Sequence, residues 1–137
     1  MEYEMLSKIV KRLRERFRVH AVILFGSRAR GDFKPWSDYD ILVIADFREK
    51  YLDRIGVILE VLSDVELNIE PHLYTLEEVK DMLRKGSPMM VDALSEGKVL
   101  YGDREFEEVR ALYEDLVRRG LRRTETSIIV PSLDESP

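Results

Sequence analysis

Two short, β-rich apolar runs, "HAVILF" (20–25) and "SDYDILVIA" (37–45), lie close together in the chain. The segment joining them restricts the fold more than any other feature. The first run stops on Gly26 and Ser27, where a residue without a Cβ lets the backbone turn sharply and approach a ligand. The second run opens with Asp38 and Asp40. Two apart on a strand, their carboxylates leave the same face about 7 Å apart along the backbone. Carboxylates beside a buried strand are costly unless something compensates them. The pattern predicts a sheet that gathers acid at one end around a cation, with a metal ion carrying a triphosphate as the candidate.

The rest of the chain alternates helical and extended patterns. Residues 2–17 place Met5, Leu6, Ile9, Val10, Leu13 and Phe17 on one helical face. A second helical pattern runs over 51–63. "VELNIEPHLY" (65–74) has period two, with Val65, Leu67, Ile69 and Leu73 on one side and Glu66, Asn68, Glu70 and His72 on the other. Pro71 cannot donate to a ladder, which favours an edge strand or a local irregularity. Thr75 and Glu78 form a capping box for a helix to about Lys85, and Ser87-Pro88 starts another that ends before Gly97. "KVLY" (98–101) reads as a short strand or extended segment, and residues 103–119 as a last helix stopped by Gly120. The expected fold class is α/β (α+β), a mixed sheet of about three to five strands covered by helices. No repeat or linker divides the chain. One domain is expected over 1–123, followed by a tail, 124–137, with a β-like run at 127–130 and a mobile polar end.

Composition narrows the function. Of the 137 residues, 45% are apolar and 36% charged, as expected for one folded, highly charged domain. No apolar run approaches the roughly 20 residues needed to span a bilayer, and the first 17 residues lack the pattern of a signal peptide, so the chain is read as cytoplasmic. The absence of cysteine removes disulfides and thiolate chemistry, and two histidines argue against a histidine-rich zinc site. A net charge of -5 has the wrong sign for coating nucleic acid.

Gly26 and Gly31 have the internal spacing of a phosphate-binding P-loop, but Asp32 and Phe33 stand where that motif needs Lys and Ser or Thr. A dinucleotide fingerprint lacks its third glycine and its later acidic residue. What remains is a strand, a Gly-Ser turn, a short basic helical segment and a strand opening with Asp-x-Asp. Ser27 offers a hydroxyl and an N–H where phosphate oxygens bind well. Two carboxylates can converge on Mg²⁺, and two ions about 4 Å apart can clamp a phosphoryl displacement. Glu70, on the polar face of the next strand, is the natural third carboxylate.

"GSRARG" followed by "SDYDILV" resembles the motif of the minimal nucleotidyltransferases (MNT), a branch of the DNA polymerase beta superfamily. "NIEPHLYTLEEVKDML" and "SPMMVDALSEGKVLYGD" resemble the same family's third strand and its run of helices. The resemblance implies a polymerase beta palm-like nucleotidyltransferase fold. It also implies Mg²⁺-dependent transfer of a nucleoside monophosphate from a triphosphate, ATP being expected, to an acceptor hydroxyl. Asp38, Asp40 and Glu70 would be catalytic and hold two Mg²⁺ ions, while Gly26, Ser27, Arg28 and Arg30 would bind the nucleotide. The family has Asp as its third carboxylate; this chain has Glu70 beside Pro71. Minimal members often pair with a separate helical HEPN protein, in some cases as an antitoxin that nucleotidylates its toxin.

Each residue also has a plainer reading. Asp38 and Asp40 can mark a solvated strand entrance, Ser27 a helix cap, and Glu70 an exposed strand carboxylate. Arg28 and Arg30 can pair with Asp32 or helix carboxylates. Phe33 and Trp36 can stack on a base or pack on the domain, and His72 is read as a polar surface residue. The arginines at 118, 119, 122 and 123 are read as helix-end chemistry. A non-catalytic nucleotide- or partner-binding antitoxin module is the alternative function. A homodimer and an RNA acceptor stay open.

Overall fold

The computed structural model describes residues 2–131. In chain order it contains α1 (Glu2–Arg16), β1 (Val19–Phe25), α2 (Ser27–Arg30), β2 (Tyr39–Ala45), α3 (Tyr51–Val61), β3 (Ile69–Tyr74), α4 (Leu76–Arg84) and α5 (Pro88–Glu96). These are followed by β4 (Lys98–Gly102), α6 (Phe106–Arg118) and a two-stranded ladder of β5 (Arg122–Arg123) and β6 (Ile128–Ile129). The main sheet has the order β3-β2-β1-β4. β1 is antiparallel to both β2 and β4, whereas β2 and β3 are parallel, with α3 in the crossover between them. The sheet is mixed, as expected.

β1 and β2 are continuous apolar runs because helices cover both of their faces. Val22, Leu24, Ile41 and Val43 pack with Leu6, Ile9 and Leu13 of α1 and Ile58 of α3. Ala21, Ile23, Phe25, Leu42 and Ile44 pack on the opposite side with Val79, Leu83, Met90, Val109 and Leu116 of α4, α5 and α6. The result is three layers, helix, sheet and helix, with β1 and β2 at the centre.

β3 is an edge strand, which suits Pro71. It is shorter than the alternation predicts. Its pairing with β2 begins at Tyr39↔Ile69, and Val65 and Leu67 pack on the core without a ladder partner. α6 starts three residues later than expected because Asp103 Oδ1 accepts from the Phe106 N–H at 2.9 Å, so Asp103 stands before the helix. The β5–β6 ladder joins Arg122 and Arg123 to Ile129 and Ile128, and Ile128 and Val130 pack against the second core cluster. The mobile end expected for the tail lies, from residue 132 on, outside the described residues. No helix among the described residues is long and apolar enough to cross a membrane.

Candidate functional site

The site forms at the end of the sheet where β1 stops and β2 and β3 begin. Gly26 terminates β1 at φ 73°, a left-handed conformation that disfavours any side chain. Its carbonyl accepts from the N–H groups of Ala29 and Arg30, both at 3.1 Å, which closes the single turn of α2. A Cβ on Gly26 would collide with Oδ2 of Asp40. The backbone conformation favours glycine, and a side chain there would also push the Asp40 carboxylate aside. Ser27 is the first residue of α2, and Gly26 occupies the cap position, so Ser27 is not the helix cap.

Asp40 lies opposite Phe25 in the β1–β2 ladder and opposite Glu70 in the β2–β3 ladder. Burial and then a hydrogen bond and repulsion from Asp40 hold the Glu70 carboxyl above its ordinary value, with Asp38 adding to the effect. Nε2 of His72 sits 3.2 Å from Oδ1 of Asp40, and the His72 ring lies 5.0 Å from that of Phe25. Asn68 donates to Oδ1 of Asp38. Ligating atoms of Asp40, Glu70 and His72 all fall within 4.8 Å of one another. Two facing carboxylates and an imidazole, beside a turn kept clear of a side chain, form a donor set that suits a hard divalent cation.

The structure sets Asp40 against Gly26 and Glu70, with Asp38 near enough to repel the Glu70 carboxylate and Ser27 next to Gly26 in the chain, and it places the two arginines differently. Arg28 donates to the carbonyls of Ser37 (3.0 and 3.2 Å) and Pro35 (3.3 Å). Its guanidinium stacks over Phe33 and Tyr39, 4.3 Å from each ring centre. It thereby holds the loop 31–38 against β2. Arg30 pairs with Asp32 at 3.4 Å and Glu96 at 3.2 Å. Trp36, at 77% exposed, projects from the loop that Arg28 fixes. His72 is not the surface residue that its alternation suggests: its side chain is 18% exposed and in contact with Asp40. Asn68 and His72 flank Glu70 at i−2 and i+2, a spacing present in the sequence. Their roles appear only once β3 is in register with β2.

A nucleotidyltransferase domain model matches residues 6–101. The chain belongs to this nucleotidyltransferase family. A Methanocaldococcus jannaschii protein that carries the name protein adenylyltransferase is 36% identical over 87 residues, 59% of this chain and 57% of its own length. A bifunctional uridylyltransferase/uridylyl-removing enzyme of Pseudomonas entomophila (strain L48) is 28% identical over 114 residues, 82% of this chain and 11% of that enzyme. The chain thus spans 57% and 11% of the lengths of these two relatives. Among solved structures, a toxin-antitoxin with AMP-PNP matches with a TM-score of 0.59 and 22% identity over 82% of this chain and 84% of its own. The complex of a tri-AMPylated Shewanella oneidensis HEPN toxin with an MNT antitoxin matches with a TM-score of 0.54 and 22% identity, covering 86% of this chain and 91% of the matched one. These similarities establish the nucleotidyltransferase fold.

Proposed function

We propose that this chain moves a nucleoside monophosphate from a nucleoside triphosphate, with ATP as donor, onto a hydroxyl of a HEPN-type partner protein. The observation that carries the reading is Asp40 facing Glu70 across the β2–β3 ladder, beside a Gly26 turn that leaves no room for a side chain. In the transfer, the acceptor oxygen bonds to the α-phosphorus as the bond from that phosphorus to the bridging oxygen of pyrophosphate breaks. Glu70 takes the hydroxyl proton. Asp38, Asp40 and Glu70 would hold Mg²⁺, which when bound neutralises charge on the triphosphate and on the departing pyrophosphate.

Gly26 and Ser27 contact the β and γ phosphates. Arg30, bound only to partly exposed carboxylates, exchanges them for the leaving pyrophosphate, and Arg28 serves the same site by fixing the loop beside Asp38. Relatives named as adenylyltransferases support ATP, and a matched chain from a HEPN toxin complex supports the partner class. The test is thermal unfolding with each of the four ribonucleoside triphosphates, with and without Mg²⁺, on the wild type and Asp40→Asn. A ligand at 100 times its dissociation constant adds about 2.7 kcal/mol, a rise of several degrees for a domain of this size. The expected result is a Mg²⁺-dependent rise with ATP that the substitution abolishes. No rise with any triphosphate at millimolar concentration would sink the donor site.

A further inference from the structure

We propose that Asn68, just before β3, and His72, within it, are positioning residues that flank Glu70 and orient the two aspartates, each through one hydrogen bond to Oδ1. The inference rests on the metal-binding reading of Asp38, Asp40 and Glu70 given above. Glu70 and His72 occupy alternate positions of β3, so their side chains share one face of the strand, and Asn68 immediately precedes it. The parallel register sets Glu70 opposite Asp40, and the Tyr39 N–H donates to the Asn68 carbonyl at 2.8 Å. Asn68 is thereby held level with the entrance of β2, where its side-chain amide donates to Asp38. Two residues beyond Glu70, His72 meets the other aspartate.

The arrangement distinguishes the two oxygens of Asp40. Oδ1 faces Nε2 of His72 at 3.2 Å, whereas Oδ2 is the atom that a Cβ on Gly26 would strike. An ionised carboxylate only accepts, so the proton of this hydrogen bond belongs to Nε2. Committing Oδ1 to the ring leaves Oδ2 as the oxygen offered at the Gly26 turn. Packing against Phe25 limits the orientations that the His72 ring can take, as a positioning role requires. An imidazole donating to a ligating carboxylate acts on the metal through that carboxylate, and loss of such a partner weakens metal affinity by about 10- to 100-fold.

Direct Mn²⁺ binding, followed by electron paramagnetic resonance with Mg²⁺ as competitor, tests the assignment on the whole chain. The variants are His72→Ala, His72→Gln, Asn68→Ala and Asp40→Asn, each checked for folding by thermal unfolding. Mn²⁺ affinity is expected to fall by about 10- to 100-fold in His72→Ala and to fall in Asn68→Ala, with His72→Gln, which keeps an N–H donor, recovering most of the loss. Unchanged affinity in folded His72→Ala and Asn68→Ala would overturn the inference. So would a loss in His72→Gln as deep as in His72→Ala, because the ring nitrogen would then be a metal ligand. If Asp40→Asn binds Mn²⁺ as the wild type does, the metal site itself fails, and this inference with it.

Discussion

Gly26 and His20 sit at opposite ends of β1 and show how one residue's surroundings set its consequences. At Gly26 a side chain meets both a left-handed backbone and Oδ2 of Asp40. Gly26→Ala should cost about 1–3 kcal/mol of stability by chemical denaturation and remove Mg²⁺-dependent stabilisation by ATP even at temperatures where the variant is folded. His20 is buried, with Nε2 2.7 Å from Asp46 and Nδ1 2.7 Å from Asp103. Burial opposes its charge, but the bonds to Asp46 and Asp103 prevail and hold its pKa above the ordinary value. The folded value thus exceeds the unfolded one, so His20 contributes fully below the unfolded pKa of about 6.5, and the contribution is lost as pH rises through the folded value. Urea midpoints should therefore fall between pH 6 and pH 9 by more in the wild type than in His20→Asn. That Asp40 and Glu70 come from successive strands was legible in the sequence because each lies in its own β-like run. The contacts of His72 and His20 were not, because Asp40, Asp46 and Asp103 reach them only through strand pairing and the turn before α6.

At the scale of elements, a local signal was read correctly at α4 and misread at the start of α6, where Asp103 stands before the helix. The capping box of α4 is present as the sequence indicates: Thr75 Oγ1 accepts from the Glu78 N–H at 3.2 Å, and Glu78 Oε1 accepts from the Thr75 N–H at 2.8 Å. The sequence does not show that Arg54, buried in α3, donates to the same Glu78 oxygen at 2.7 Å and to the carbonyls of Leu73 and Glu49. The loop 31–38 is a similar case. Arg28 looks like a phosphate ligand until Phe33 and Tyr39 close around it and Ser37 and Pro35 turn their carbonyls toward it. Arg28→Lys keeps the charge but loses the planar fork and its stacking. It should cost about 1 kcal/mol and free the loop. Trp36 is the only tryptophan, so time-resolved fluorescence anisotropy should show faster local depolarisation in the variant.

For the whole molecule, the two central strands were legible because burial on both faces leaves a continuous apolar run. The order of the sheet was not, since it depends on which run reaches which edge. The same limit applies at the C-terminal end of the fold, where the β-like run at 127–130 signals a strand but not its partner. In the structure, β6 pairs with β5, and Arg123 reaches Asp92 of α5 at 3.0 Å. Ile128 and Val130 pack on the core layer formed by α4, α5 and α6, and a Cβ on Gly86 would collide with Val130. This segment therefore covers one side of the domain. The double variant Ile128→Ala/Val130→Ala in the full chain should lose about 2–3 kcal/mol, scaled down from full burial because both side chains are only partly covered. The midpoint of thermal unfolding should fall by several degrees, with a single cooperative transition preserved. Asp40 and Glu70 lie on β2 and β3, away from Ile128 and Val130, and Arg30 touches α5 only through Glu96, a contact the double variant leaves in place. ATP should thus raise the midpoint of the double variant by as much as it raises that of the wild type. A smaller rise would mean that the C-terminal ladder and the proposed nucleotide site are energetically coupled through the α5 layer.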